Sequence, residues 1–402
     1  MTTERRYFTL SNPIRTVSPA PKRGKGLCVT LMILSILLVL LLLAWLIFPR
    51  VMNPDRLTRF FRYMGLRDRA DYGRIAVDGG AGSCFAGFDD GLLAATESSV
   101  TLYALDGEQK AFVQGSLPTP ILRAGGDLSL CFSPGSSYAV AIGAGGDILM
   151  NEAQGGAFVD ADLSADGYSA YITAESGSKA VVTVRNPKWD SVYRFSSGTR
   201  YLNACAVSPR GELLAVAGLE EQDSLFRSGL TILRTDEELS DLSQDDSSAV
   251  RVELGNRVAY RLCFPDAGHL MAVTQDALLF YSTAGEELNA VSLREEQLLD
   301  YSLSSEGWVL LALSRAGGES RVLTLDAAGK TLGEFTTQDR VRAVSAAGDY
   351  AMVLTDAELQ SFDRRLSLYE QSGDVLGATR VIARTDGTAL LIGSFGTRLF
   401  IP

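Results

Sequence analysis

A phrase that returns eight times constrains this chain more than anything else in it. Each copy is an apolar strand, a short turn of Ser, Pro, Asp or Gly, and a second strand of small and branched apolar residues. It reads SCFAGFDDGLLAAT from Ser83, LSLCFSPGSSYAVAIG from Leu128, FVDADLSADGYSAYIT from Phe158 and LNACAVSPRGELLAVAG from Leu202. It returns from Tyr260, Leu299, Arg342 and Val381. The turn glycines Gly91, Gly135, Gly167, Gly211, Gly268, Gly307, Gly348 and Gly387 stand 44, 32, 44, 57, 39, 41 and 39 residues apart. A third strand follows most copies, as in VTLYALDGEQ (Val100–Gln109), and often a short fourth, as in KAFVQG at Lys110.

Period-two alternation bounded by Gly, Asp and Ser is a strand signal. Four short strands per unit of roughly 40–50 residues is the period of a β-propeller. A unit this small cannot bury both faces of its sheet alone, so neighbours must stack around an axis. The expected fold is all-β, a propeller over residues 74–402. Eight blades are favoured. Seven is the alternative, if the unit around Val159–Thr173, which follows the 32-residue step, is not independent. The last unit has only three strands, and RIAVDG from Arg74 has no unit of its own. The economical closure makes Arg74–Asp78 the missing outer strand of the last blade. The acidic stretch TDEELSDLSQDDSS (Thr235–Ser248) fills the long step and reads as a surface insertion.

Ahead of the repeats, residues 27–48 (LCVTLMILSILLVLLLLAWLIF) carry no charge. As a helix rising about 1.5 Å per residue this run is long enough to cross a bilayer. It is longer than the apolar core of a cleaved leader and ends in Trp45, Phe48 and Pro49 rather than small residues, so it reads as an uncleaved anchor. Residues 1–26 form a basic tail, expected in the cytoplasm, which places the repeats outside it. Within 49–73, Asn53-Pro54-Asp55 has the order of a helix cap. Leu57, Phe60, Phe61 and Met64 then share one face, off which Arg56, Arg59 and Arg62 lie, and Gly65 can end the helix. That pattern suits the headgroup zone of a membrane.

An anchor, the juxtamembrane helix NPDRLTRFFRYMGL and a degenerate strand-turn-strand repeat together resemble an uncharacterised bacterial family of single-pass, membrane-anchored propeller proteins, a domain of unknown function. The repeats are distantly similar to WD40-like and quinoprotein-like repeats. Trp189-Asp190 and Gly268-His269 fall in different units, and regular tryptophan motifs are missing, so no cofactor and no site residue follows from that likeness.

Charge narrows the function. Residues 1–70 hold 12 basic and 3 acidic groups, against 25 and 45 in residues 71–402. An acidic body argues against nucleic acid as partner. No nucleophile elbow, phosphate loop or HExxH occurs. Ser176-Gly-Ser-Lys179 lies in a turn, where Ser-x-x-Lys chemistry would need a helix. Cys84, Cys131, Cys205 and Cys263 fall in what read as first strands of four units and are expected to be small buried hydrophobes rather than disulfides. His269 reads as a turn residue. Arg200, Arg257, Arg340 and Arg380 each stand near the start of a unit's first strand, where a propeller gathers residues around its channel mouth. Together they would make a collar for an anion, through the planar guanidinium fork.

The resulting expectation is a binding or scaffolding module at the cell envelope, without catalytic residues, metal or cofactor. Its partners would be the lipid bilayer and an envelope protein or anionic envelope component. The alternatives are a glycan-acting hydrolase or lyase using channel carboxylates, and a subunit of a membrane protein assembly.

Overall fold

In the computed structural model, residues 32, 34–36, 61–66, 73–77, 79–80, 82–222, 225–236, 249–375 and 377–402 are described. Two units divide the chain, Met1–Gly65 and Leu66–Pro402. In the first, Met32, Leu34, Ser35 and Ile36 are helical, and helix also covers 61–66. Phe61 and Met64 are exposed there. The helix runs through Gly65 to Leu66, so Gly65 does not end it. Leu57, Phe60, the tail 1–26, the rest of the run 27–48, Asp78 and residues 237–248 lie outside the described residues. Among the described residues no helix is long and apolar enough to cross a membrane.

Seven four-stranded sheets and one three-stranded sheet make up the second unit. They form an eight-bladed β-propeller, with blades at residues 84–114, 121–153, 157–197, 200–255, 259–292, 296–337, 341–372 and 378–400. Every blade is an antiparallel meander running from the innermost strand outward. Apolar clusters fill the seams. Between blades 4 and 5, for example, Ala204, Ala206, Ala215 and Ala217 meet Leu262, Phe264, Leu270 and Ala272. Small residues on one sheet let the larger ones of its neighbour approach, which explains the Ala-rich strands of the repeat.

Two expectations change in detail. Blade 2 begins at Ile121–Gly125, so the phrase from Leu128 supplies its second and third strands rather than its first two. Its first turn is only Gly126-Asp127, between the paired Gly125 and Leu128, while the Ser-Pro-Gly-Ser signature sits in the next turn. Counting from Gly126 instead of Gly135 removes the 32-residue step, which is why the following unit is a full blade. Cys131 therefore lies on a second strand, whereas Cys84, Cys205 and Cys263 lie on innermost ones. All four are free thiols.

Ring closure is the other. Residues 73–77 run beside the last strand, Gly396–Phe400, as an extended strap that is not a regular strand. Thr397 N donates to Ile75 O at 3.0 Å. The Thr397 hydroxyl accepts from Ile75 N at 2.9 Å and donates to Gly73 O at 2.6 Å. Gly73 N donates to Leu105 O of blade 1. Ile75 is buried with Leu92 and Leu105 of blade 1 and Leu390 and Ile392 of blade 8, so the strap joins both sides of the seam. At Gly396, with φ of 124°, a Cβ would lie 2.7 Å from Ile75 O, so only glycine lets the strap this close.

Candidate functional site

In six of the eight blades the innermost strand carries one extra residue, a β-bulge, near its start. The bulged residues are Val159, Asn203, Tyr260, Leu299, Arg342 and Thr379 in blades 3 to 8. A bulge bends the strand and re-aims the side chains that follow it. Those next residues are, in order, Asp160, Ala204, Arg261, Asp300, Ala343 and Arg380. Aspartate, alanine and arginine thus appear in blades 3–5 and again in blades 6–8.

An innermost strand has one edge facing the channel, where its N–H groups lack a ladder partner and need another acceptor. Side chains of the preceding blade supply it. Asp160 accepts from Cys205 N at 3.0 Å and Asp162 from Val207 N at 3.2 Å. Asp300 accepts from Val344 N, Ser302 from Ala346 N and Ser345 from Ala383 N, each at 2.9 Å. Between blades 4 and 5, Asn203 Nδ2 donates to Ala259 O. These latches join blades 3, 4 and 5 into one arc and blades 6, 7 and 8 into another. After blade 5 and after blade 8 the same register position holds Arg261 and Arg380, which have no acceptor to offer. Tyr301 N is satisfied locally instead, donating to Asp300 Oδ1 at 2.9 Å.

Arg261 reaches past Ala204 of blade 4 to blade 3. Its Nη2 lies 2.7 Å from Asp162 and its Nη1 3.8 Å from Asp160, and Nη1 also donates to Ala161 O. Only 14% of the Arg261 side chain is exposed, against 11% for Asp160 and 7% for Asp162. Arg123 of blade 2 donates to Ala161 O from the other side at 3.2 Å. Burial opposes the Arg261 charge, but Asp162 and Asp160 outweigh it and hold its pKa above the ordinary value. Arg123 is lowered, by burial and then by the nearby Arg261. Burial raises Asp160 although Arg261 and the Cys205 N–H oppose it, and burial raises Asp300 against the Val344 and Tyr301 N–H groups. Burial also pushes Tyr301 up to about 12, the Cys84 thiol up to about 11 and the Cys263 thiol up to about 12. Thiols held this far up are poor nucleophiles.

The four arginines picked out in the sequence do not share a layer. Relative to the bulged residue, Arg200 and Arg257 stand three before, Arg340 two before and Arg380 one after. Arg200 Nε pairs with Glu220 at 2.8 Å and Nη1 donates to Thr231 Oγ1. Arg257 Nε pairs with Asp276 at 3.1 Å. Arg340 is exposed, and its carbonyl accepts from Asp356 N. Arg200 opens the innermost strand of blade 4 and Arg380 lies within that of blade 8, whereas Arg257 and Arg340 precede theirs. The channel residues passed over were Arg123, Asp160, Asp162, Arg261 and Asp300. Their signal was a charge interrupting an otherwise apolar strand, as in FVDADL and YRLCF. His269 opens a strand directly after the Ala267-Gly268 turn rather than lying in the turn, 2.8 Å from Asp266.

A second feature lies where the innermost strands begin. The second and third strands of blade 4, Leu213–Gln222 and Leu225–Arg234, are ten residues each and outrun their neighbours. Pairing with the flanking strands stops at Arg200↔Glu220 and Ser228↔Gly255, while the hairpin continues to Gln222↔Leu225. Leu225 is 66% exposed and Phe226 64%. Tyr201, Val258 and Tyr260 are exposed at the same end of blades 4 and 5. The strap reaches the propeller at the opposite end, beside Leu105.

Fold and channel together define an eight-bladed β-propeller whose inner strands are cross-tied by buried charge. Over residues 74–373 the chain matches the family of unknown function DUF5711, and it belongs to that family. No curated protein matches it. Among solved structures it is similar to BamB from Moraxella catarrhalis, at 14% identity over 79% of this chain and 92% of that one, with a TM-score of 0.48. Apo AztD from Citrobacter koseri is similar at 11% identity over 75% and 85%, with a TM-score of 0.44. Hsv2 from Kluyveromyces lactis gives 11% over 74% and 99%, at 0.43. Identities this low carry no function across.

Proposed function

We propose that this protein is a membrane-anchored, extracytoplasmic propeller that serves as a binding or scaffolding module at the cell envelope. The anchor and the outward placement rest on the uncharged run 27–48 and the basic tail before it. The binding role rests on the exposed apolar hairpin tip of blade 4, with Tyr201, Val258 and Tyr260 around it. Large apolar side chains grouped on one face mark interaction surfaces. Aromatic residues in particular supply large contact area at little cost in side-chain entropy.

A glycan-acting enzyme would use channel carboxylates with raised pKa values. Asp160 and Asp300 are raised, yet both already accept main-chain N–H groups of the next blade, and Asp160 also faces Arg261. Their surroundings fit a structural use. Photo-cross-linking in intact cells tests the proposal, with the reactive residue placed at Phe226, at Tyr260, or at Phe112 on the outer strand of blade 1. A discrete adduct from the first two positions and none from Phe112 supports it. Equal labelling from all three, or none, removes the hairpin as a binding face. Added protease should also degrade the body in intact cells, and survival there with loss on lysis would overturn the outward placement.

A further inference from the structure

The two arcs of the channel differ at one position, and that difference defines a site. In blades 3–5, Asp160 follows a bulge and Asp162 lies two residues on. Arg261, two blades later, closes on Asp162 at 2.7 Å across the small Ala204. In blades 6–8, Asp300 follows the bulge, Ala343 is the small residue between, and Arg380 stands where Arg261 stands. The counterpart of Asp162 is Ser302, which latches Ala346 N as Asp162 latches Val207 N but carries no charge. Arg380 accordingly makes no ion pair among the described residues and is exposed. Its charge is nevertheless felt by Asp300 on one side and Cys84 of blade 1 on the other, which keeps it among the inner strands.

The geometry points to a small carboxylate ligand bound in the blade 6–8 half of the channel, its carboxylate taking the place that Asp162 occupies in the other half. Arg380 would grip it as Arg261 grips Asp162, through charge-assisted N–H bonds. The Ser302 hydroxyl accepts from Ala346 N and keeps its own proton free to donate to the ligand. A single negative charge is what this half lacks. A cavity of about 500 Å³ opens at the end of the propeller away from the blade 4 hairpin. Ile382 and Ala383, on the strand that bears Arg380, line it, with Ala347, Gly87 and Gly125 opposite. The inference goes beyond the binding role of the hairpin and does not depend on it.

The test titrates the full-length protein in detergent with acetate, succinate and glutamate, using inorganic phosphate and glucose as controls, by calorimetry and thermal shift. At least one carboxylate should bind saturably with one site per chain. Arg380→Gln should weaken it about tenfold or more, and Lys330→Gln, in an outer turn of blade 6, should not. Ser302→Asp supplies the missing charge from within, so it should raise the melting temperature and abolish carboxylate binding together. Any one of four results overturns the site: no saturable carboxylate binding, binding of phosphate alone, unchanged affinity in Arg380→Gln, or a Ser302→Asp protein that is less stable and still binds. Cross-linking at Phe226 reports on a different face, so failure of one leaves the other standing.

Discussion

Blades 3–5 and blades 6–8 solve the same packing problem with nearly the same residues and reach different electrostatic ends. Each arc begins on a bulge followed by aspartate, continues through alanine and closes on arginine. In the first arc two carboxylates and an arginine are buried together. In the second there is one carboxylate, a serine and an exposed arginine. The arginine that closes each arc is therefore not buried or exposed by type: it is in an ion pair where the residue two places after the aspartate is Asp162, and exposed where that residue is Ser302. Latching of neighbouring N–H groups is untouched by the exchange, because a serine oxygen accepts such a bond as a carboxylate does.

The largest effect should come from removing the two arginines in turn. Arg261→Ala strands Asp160 and Asp162 without their cation, and breaking a buried pair in this way costs about 3–5 kcal/mol. Arg380→Ala removes an exposed group with no ion partner among the described residues and should stay within about 0.5 kcal/mol. Urea unfolding of both variants measures the difference. Equal losses would mean that the arcs are electrostatically alike and that Arg380 has a partner of its own.

Latch removal comes next and should make the arcs look the same. Asp300→Ala leaves Val344 N and Tyr301 N without their acceptor, and a buried donor so orphaned costs about 1–3 kcal/mol. Ser345→Ala does the same to Ala383 N and belongs in the same range. Hydrogen exchange should accelerate at Val344 and Ala383 respectively, with little change across the joint at blades 1 and 2. Exchange that speeds up all round the ring would show that the arc is not the cooperative unit.

How much of this could be read beforehand follows from the same chemistry. The period of the repeat exposed the propeller, because each blade must satisfy the same turn and the same apolar seam. The sequence puts blade 2 out of phase by one strand because a two-residue Gly126-Asp127 turn is quieter in it than the Ser133–Ser137 turn that follows. The strap lies beside the last strand without becoming the fourth strand expected there, because its bonds run largely through the Thr397 hydroxyl, which no strand pattern announces. The site was harder. Arg257 and Arg261 are four residues apart, yet the bulge at Tyr260 and a partner two blades away put only Arg261 in the buried pair. A bulge is a property of the pairing, and pairing across 99 residues leaves no local signature. What was visible was a charge inside an apolar strand, which demands a partner somewhere.

The smallest effect, and the one that separates charge from packing, is a pH dependence. Burial raises both Asp160 and Asp300 above the ordinary carboxyl value. Such a group favours the folded state while protonated. That contribution is complete below the unfolded value of about 3.9 and is lost as pH climbs through the folded one. In blade 3 the Arg261 charge opposes the rise, so Arg261→Met, which keeps the volume and removes the charge, should extend the loss at Asp160 to higher pH. The stability of Arg261→Met should therefore diverge from the wild type on going from about pH 4 upward, and Arg380→Met should follow the wild type more closely. Combining Arg261→Met with Asp160→Asn should restore a flatter profile. If the double variant keeps the steeper slope, the group responsible is a carboxylate other than Asp160, and the assignment to Asp160 fails.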